Sequence, residues 1–418
     1  MEVREKSENI DFHFSTERDY IREEDIMRQR IKQVNIEEIK IKIVLTGGGT
    51  GGHVFPLISV QRALKKLAES RLLTLETIYL GPDGFSEEAF KKEGVKMTKI
   101  SAGKLRRYFS LLNFLAIFKL AIGLCQSLYH LWKFIPDLIF SKGGYGSLPV
   151  VLVGWLYRIP VFIHESDSVP GLSNKIAAKF AKRIGVSFNK TFDYFPKDKT
   201  ALVGNPIRLE LFLNQNKEAA RQHFGFLNDK PLLLILGGSQ GSQRINDLIL
   251  EMLEELVKND IQIFHQTGQN NIREVSAEAK IILGNLPNIY SGYYQTKGFF
   301  EEKEYILALM ASDLVIARAG SGTIFELSAA KKPAILIPLA EAAADHQRLN
   351  AFEYSRAGAA VVFEETNILP NLFVHQIVEL FKNRDKLIDL ANRANLFFQE
   401  DSAEKIAKEI FDLLKITA

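Results

Sequence analysis

The chain has 418 residues, more than a single hydrophobic core ordinarily organises, and this length fits two domains of usual size. Hydrophobic residues make up 46% and charged residues 25%, the balance of a folded chain rather than a disordered one. The formal net charge of +3 gives bulk electrostatics no reason to draw a nucleic-acid partner, so none is expected.

Residues 1–40 are crowded with charged side chains and show no sustained apolar period, so they read as a charged extension. They contain no apolar core of a secretory leader, and no run in the chain reaches the roughly 18–20 apolar residues of a membrane span. Residues 41–45 form a β-branched run that ends in Gly47-Gly48-Gly49-Thr50-Gly51-Gly52, and an apolar-periodic stretch at 54–67 reads as a helix. The same strand, glycine turn and helix recur at 232–236, Gly237-Gly238-Ser239-Gln240-Gly241-Ser242 and 245–256. Further buried-type strands are expected at 77–80, 138–140, 160–164, 261–266, 314–317 and 334–337, each separated from the next by helical pattern. The fold class is therefore α/β, with two Rossmann-like domains whose parallel sheets face an interdomain cleft. The expected boundaries are 41–204 for the first domain and 205–385 for the second, with a hinge near Val203-Gly204-Asn205-Pro206. Residues 386–418 are expected to be helices that pack back toward the first domain. The one cysteine, Cys125, can form no internal disulfide, which points to a reducing compartment. It lies in an apolar stretch and reads as a packed thiol.

Glycine turns at helix starts let backbone N–H groups approach phosphate oxygens. The first turn satisfies G-x-G-x-x-G, which alone also fits a dinucleotide site. His53 stands where a nucleotide-triphosphatase loop would have its lysine, which excludes that class. A third turn, Ser141-Lys142-Gly143-Gly144-Tyr145-Gly146-Ser147, follows the 138–140 strand. Three glycine turns at strand ends in two sheets suit a cleft that holds a sugar nucleotide. There is no Asp-x-Asp pair to clamp a diphosphate-bound cation, so neither metal nor cofactor is expected.

Seven blocks, in order, resemble the MurG family, the UDP-N-acetylglucosamine transferases of peptidoglycan assembly. They are Gly48 to Pro56, Gly143 to Ser147, His164 to Asp167, Gly204 to Arg208, Gly237 to Ser242, Arg318 to Glu326 and His346 to Ala351. The resemblance implies a GT-B fold, with the acceptor on the first domain and UDP-GlcNAc mainly on the second. The activity it implies is inverting transfer of GlcNAc to the muramyl sugar of undecaprenyl-pyrophosphoryl-MurNAc-pentapeptide (lipid I), giving lipid II, at the cytoplasmic face of the membrane. His53 is the preferred general base, with Asp167 as the alternative or as a contact to the donor sugar. Donor contacts are expected from Thr50, Gly51, Gly52, Arg208, Ser239, Phe300, Ser321, Gly322, Thr323, Glu326 (on the ribose) and Gln347. Acceptor contacts are expected from Gly143, Gly144, Tyr145, Ser147 and Glu165.

A lipid-linked acceptor requires a surface that reaches the bilayer. Lys104-Leu105-Arg106-Arg107-Tyr108-Phe109 precedes an apolar stretch at 111–131, which is either a buried helix with Phe114, Ile117, Phe118 and Ala121 as its core stripe or an interfacial one. The rival readings are another GT-B lipid glycosyltransferase, a UDP-GlcNAc 2-epimerase of similar fold, and a non-catalytic sugar-nucleotide-binding subunit.

Overall fold

Short apolar runs closed by a glycine or polar turn become strands covered on both faces, as parallel sheets require. The computed structural model describes residues 40–48, 51–82, 87–103, 111–207, 216–238 and 240–416. The first sheet has seven strands: β1 (Lys40–Thr46), β2 (Thr74–Gly81), β3 (Lys96–Lys99), β4 (Leu138–Ser141), β5 (Val161–Glu165), β6 (Arg183–Val186) and β7 (Thr200–Leu202). Their spatial order is β3-β2-β1-β4-β5-β6-β7. The second sheet has six strands: β8 (Leu232–Leu236), β9 (Gln262–Gln266), β10 (Tyr294–Lys297), β11 (Leu314–Ala317), β12 (Ala334–Leu336) and β13 (Ala360–Val362), in the order β10-β9-β8-β11-β12-β13. Every ladder described in either sheet is parallel.

Both orders reverse direction once. In the first sheet the reversal lies between β1 and β4, where Thr46 pairs with Ser141, and in the second between β8 and β11, where Leu236 pairs with Ala317. Ligands of doubly wound sheets bind beyond the strand ends at such switch points. The four strands that flank the two reversals are those followed by the glycine-bearing segments at 47–52, 142–147, 237–242 and 318–322.

Alternation across the second sheet shows why both faces need helices. Leu232, Leu234, Leu236, Val315 and Ala317 enter one core, and Leu233, Ile235, Leu314 and Ile316 enter the other. Each fully buried aliphatic side chain contributes roughly 1.5–3 kcal/mol. The crossover helices of the first sheet are α1 (Gly51–Ser70), α2 (Glu87–Lys92), α3 (Leu111–Phe134), α4 (Leu148–Leu156) and α5 (Leu172–Ala177). Those of the second begin with α6 (Lys217–Phe224), α7 (Gln243–Lys258), α8 (Ile272–Gly284) and α9 (Glu302–Ala311). They continue with α10 (Ser321–Ala329) and α11 (His346–Arg356), while α12 (Pro370–Lys382) and α13 (Arg384–Phe397) follow the last strand.

The last helix, α14 (Ser402–Leu413), returns to the first sheet. Its Ile406, Ala407, Ile410 and Phe411 are buried in one cluster with Ile43, Leu45, Leu57 and Leu64. The first crossing between sheets is fixed at Gly204, whose carbonyl accepts from His164 Nε2 at 2.8 Å and from Ser187 Oγ at 3.1 Å.

The structure corrects the sequence reading of α3. Phe114 (64% exposed), Ile117 and Phe118 lie outside the core, as does Ala121, while Ala116, Gly123, Ser127 and Leu131 face inward. Small residues line the inner face because the chain passes close there: a Cβ on Gly123 would fall 2.1 Å from the Ser101 carbonyl oxygen. Cys125 is exposed too, not packed. A helix apolar on all sides does not reveal its buried face by periodicity. Residues 104–109 and 1–39 lie outside the described residues.

Candidate active site

The first-sheet side is organised around His53, in the first turns of α1. A Cβ on Gly144 would stand 3.0 Å from Gly48 Cα and 3.1 Å from His53 Nε2, so the imidazole is wedged between two glycine turns that no larger residue could form. Gly144 has φ of +81°, which glycine alone adopts without strain. Burial pushes the His53 pKa down to about 4, and the nearby Lys142 charge adds to this while Asp167 opposes it. The ring is therefore neutral throughout the physiological range. The first turn is braced from below by Tyr79, whose hydroxyl donates to the Gly47 carbonyl at 3.2 Å and whose ring stacks on Phe90.

A cleft of about 330 Å³ joins the two sheets. Gly52, Phe55 and Pro56 line it from α1, Asn205, Pro206 and Ile207 from the crossing, and Gly238, Phe300, Arg318, Gly322, Thr323 and Glu326 from the second sheet's side. Tyr305 on α9 donates its hydroxyl to Glu326 Oε2 at 2.8 Å, which fixes that carboxylate at the cleft wall. The N-terminus of α10 follows Gly320 with no side-chain cap, so its first-turn N–H groups and the helix dipole suit an anion. Arg318 ties the surrounding loops together. Its guanidinium donates to the Ile337 carbonyl at 3.1 Å, and at 2.6 Å to both Ser242 Oγ and Glu365 Oε1.

One side chain clasps the two halves. Asn350, fully buried on α11, accepts from Ser168 N–H at 2.8 Å and donates to Asp167 Oδ1 at 2.9 Å. It also reaches the Ala319 carbonyl at 3.3 Å. The carboxylate after β5 is thus held in place by a helix of the second domain.

Comparison with known proteins follows the same division. The N-terminal domain of glycosyltransferase family 28 matches residues 43–186, and the C-terminal domain of that family matches 232–410. The UDP-N-acetylglucosamine--N-acetylmuramyl-(pentapeptide) pyrophosphoryl-undecaprenol N-acetylglucosamine transferase of Clostridium tetani is 42% identical over 84% of this chain and 92% of its own length. The chain belongs to the MurG family. The Clostridium perfringens protein of the same name is 40% identical over 84% of this chain and 93% of its own length. Among solved structures, Acinetobacter baumannii MurG superposes with a TM-score of 0.67 at 24% identity, covering 90% of this chain and 100% of its own. Neisseria meningitidis UDP-GlcNAc 2-epimerase shares the fold at a TM-score of 0.62 and 13% identity, covering 91% and 100%. Fold alone does not separate transferase from epimerase, whereas 40–42% identity over 84% of the chain places this one with the MurG transferases. It is a GT-B glycosyltransferase.

The residues singled out from sequence lie in several places. Gly52, Phe300, Gly322, Thr323 and Glu326 meet at the cleft. Gly51 is in the first turn of α1 and Ser321 in that of α10, where Ser321 is buried. Gln347, on α11, uses its side-chain oxygen to accept Leu339 N–H at 3.0 Å. Tyr145 is half-buried in the turn after β4, and Gly143 is buried. Ser147 is fully buried and donates its hydroxyl to the Gly144 carbonyl at 3.0 Å, so it shapes the turn from within. Glu165 is also buried and is engaged by its own loop. Thr50, Arg208 and Ser239 lie outside the described residues. Sequence reading missed Tyr305, Tyr79 and the clasp made by Asn350, although Asn350 stands inside a block that carries the resemblance. Among the described residues no group of three or more His, Cys, Asp or Glu side chains is placed to hold a metal ion.

The clasp makes a direct prediction. Asn350→Ala leaves the buried Ser168 N–H without its partner and frees Asp167, which should cost about 1–3 kcal/mol of stability. Urea unfolding measures the loss, and turnover should fall with it. An unchanged midpoint and unchanged turnover would show that the clasp carries nothing.

Proposed function

We propose that this chain transfers GlcNAc from UDP-GlcNAc, with inversion, to the muramyl 4-hydroxyl of lipid I, giving lipid II. The observation that carries this reading is the cleft itself: both glycine-turned switch points open on it, and the carboxylate fixed by Tyr305 stands at its wall. The names of the relatives supply the substrates, donor and lipid-linked acceptor alike.

In this reading Glu326 accepts the two ribose hydroxyls, and Phe300 lies beside the uracil. The uncapped N-terminus of α10, with Gly322 and Thr323, faces the diphosphate together with Gly51 and Gly52 of α1, and Thr50, Ser239 and Arg208 are assigned to the diphosphate from the sequence. Gln347 is assigned to the donor sugar. The acceptor lies against Gly143, Gly144 and Tyr145, within a wall that Ser147 and Glu165 support from behind. The acceptor oxygen attacks the anomeric carbon as the bond to UDP breaks, and the hydroxyl proton passes to His53. A neutral imidazole has a basic nitrogen able to take up that proton, and the Asp167 charge favours the imidazolium that results. Helix termini and cations stabilise the departing diphosphate.

The membrane side rests on α3. Among the described residues no helix is long and apolar enough to cross a membrane. Instead Phe114, Ile117, Phe118, Ile122, Tyr129 and Trp132 form an exposed apolar stripe, continued by Trp155 and Leu156 at the end of α4. Lys119 and Lys133 are exposed on the same helix, and Lys133 Nζ lies 5.9 Å from the Tyr129 ring. A contiguous apolar surface with basic residues beside it fits peripheral attachment to anionic lipid, at the cytoplasmic face. Phe118→Asp with Trp132→Asp should weaken sedimentation with anionic phospholipid vesicles by about tenfold or more, since each ring withdrawn from the interface gives up about 1.5–3 kcal/mol. Equal sedimentation would remove the stripe from the membrane role.

The test of the whole reading is transfer of labelled GlcNAc from UDP-GlcNAc to a lipid I analogue. Folded protein that binds UDP but yields no product sinks it. Formation of UDP-ManNAc from UDP-GlcNAc alone would establish the epimerase reading instead.

A further inference from the structure

Asn350 lies in the second turn of α11, in the second domain, and is fully buried against the loop that follows β5 in the first. Its side-chain oxygen accepts Ser168 N–H at 2.8 Å, and its nitrogen donates to Asp167 Oδ1 at 2.9 Å and to the Ala319 carbonyl at 3.3 Å. These partners fix which way round the amide sits. The one donor faces the oxygen, and the two acceptors face the two N–H bonds of the nitrogen. Ala319 immediately precedes Gly320, the residue before α10. One amide therefore touches both the loop after β5 and the turn that opens α10.

Asp167 is held at two levels, by different domains. Its own domain fixes the backbone: Glu165 Oε1 accepts the Asp167 N–H at 3.0 Å, and Thr191 Oγ1 donates to the Asp167 carbonyl at 2.9 Å. Neither bond reaches the side chain. An aspartate on a fixed backbone still turns about its side-chain torsions, and holding it in one rotamer needs a partner for the carboxylate. Among the described residues that partner is Asn350, which comes from the other domain. We propose that Asn350 is a positioning residue of the transfer site: from the second domain it aims the Asp167 carboxylate of the first, so that this carboxylate stands in place only while α11 is seated on the loop after β5. The site is then completed by contact between the domains, and the same amide sets the carboxylate in register with the turn before α10. This rests on the transfer reading above and adds to it a buried residue that acts through another.

Asn350→Asp separates this role from packing. The substitution keeps the size, the shape and an oxygen for Ser168 N–H, but it turns the donor toward Asp167 into a second acceptor and sets two carboxylates against each other. kcat should fall about 10–100-fold, while the donor KM stays within a factor of about three because the residues lining the cleft are untouched. The deciding comparison makes the same substitution in Asp167→Asn. There the amide at position 167 can donate to the new carboxylate and restore the bond with its polarity reversed. In that background Asn350→Asp should cost less than about threefold beyond Asp167→Asn alone. An equal deficit in both backgrounds would make Asn350 a packing residue and overturn the proposal, as would an unchanged kcat in Asn350→Asp. If Asn350→Asp does not fold, Asn350→Ala decides: it should lower the kcat of the intact chain and add little to Asp167→Ala, and an equal cost in both overturns the proposal.

Seating is read apart from activity. Cys125, exposed on α3, and a cysteine introduced by Glu278→Cys at an exposed position of α8 carry one spin label on each domain. UDP-free protein with Asn350 intact should give a single distance between the labels. Asn350→Asp should add a longer one, and Asp167→Asn made together with it should remove that longer distance. A distribution that Asn350→Asp leaves unchanged overturns the proposal. Absence of transfer by the intact chain would sink the transfer reading, while the label distances would still decide whether Asn350 seats the second domain against Asp167.

Discussion

Replacing His53 with alanine should lower kcat by about 10²–10⁴-fold, the range that a positioned acid–base group supplies, while the donor KM stays within a factor of about three. The expectation rests on location. His53 stands between the two glycine turns of the first sheet, and the residues that line the cleft proposed for the donor lie mainly on the second. Its low pKa also has a consequence for pH dependence. A ring that stays neutral down to about pH 4 cannot produce an acid limb in the neutral range. Any limb seen near neutrality belongs to another group, and Glu165, pushed up by burial, is the one placed to produce it. The measurement is steady-state transfer by His53→Ala and by the intact chain, each followed across pH. Turnover within tenfold of the intact chain would take the proton-accepting role from His53 and give it to Asp167.

Why some of this was legible in the sequence and some was not has a physical cause. The strands next to the switch points are buried on both faces, so they appear as unbroken apolar runs. Leu232–Leu236 and Leu314–Ala317 coincide with the expected runs, and the others expected in the chain differ from the observed strands by a few residues at most. Five strands were not anticipated: β3, β6, β7, β10 and β13. Four of them are the outer edges of the two sheets, and β6 is next to an edge. An edge strand is covered on fewer sides and can carry polar residues, so β3 reads Lys-Met-Thr-Lys and β10 reads Tyr-Gln-Thr-Lys, neither with an apolar pattern.

The site divides in a similar way. Glycine turns are local in sequence, because the backbone conformation they need is itself local, and their positions were evident from the chain alone. The groups that make those turns work are brought in from elsewhere. Tyr79 reaches Gly47 from 32 residues away, and Asn350 reaches Asp167 from 183. Nothing in the spacing of such pairs announces them. Lys142 was in view as part of a glycine-rich motif, with no role assigned to it. Only the packing of β4 against β1 and β5 reveals that its ammonium is enclosed. Glu165 and Ser147 were expected to meet the acceptor directly, whereas their polar atoms point into their own turns.

Glu326→Ala should raise the KM for UDP-GlcNAc by about 10–100-fold, because a carboxylate bonded to two hydroxyls contributes about 1.5–3 kcal/mol and binding in ground and transition states is lost alike. The change in kcat should be small by comparison. Tyr305 supplies an internal control. Its hydroxyl donates to Glu326 Oε2, so Tyr305→Phe leaves the carboxylate in place but less rigidly aimed. That variant should show the same kind of defect on a smaller scale, a KM increase of severalfold. If the two residues act as one unit, Tyr305→Phe in the Glu326→Ala background should add little, since the group it orients is gone. Full additivity would mean that Tyr305 meets the nucleotide independently, and an unchanged donor KM in Glu326→Ala would withdraw the ribose from this carboxylate altogether. The distinction matters for the lobe as a whole. A helix N-terminus recognises any diphosphate, so on the proposed reading it falls to the fixed carboxylate on α10 to tell a nucleoside from a bare phosphate.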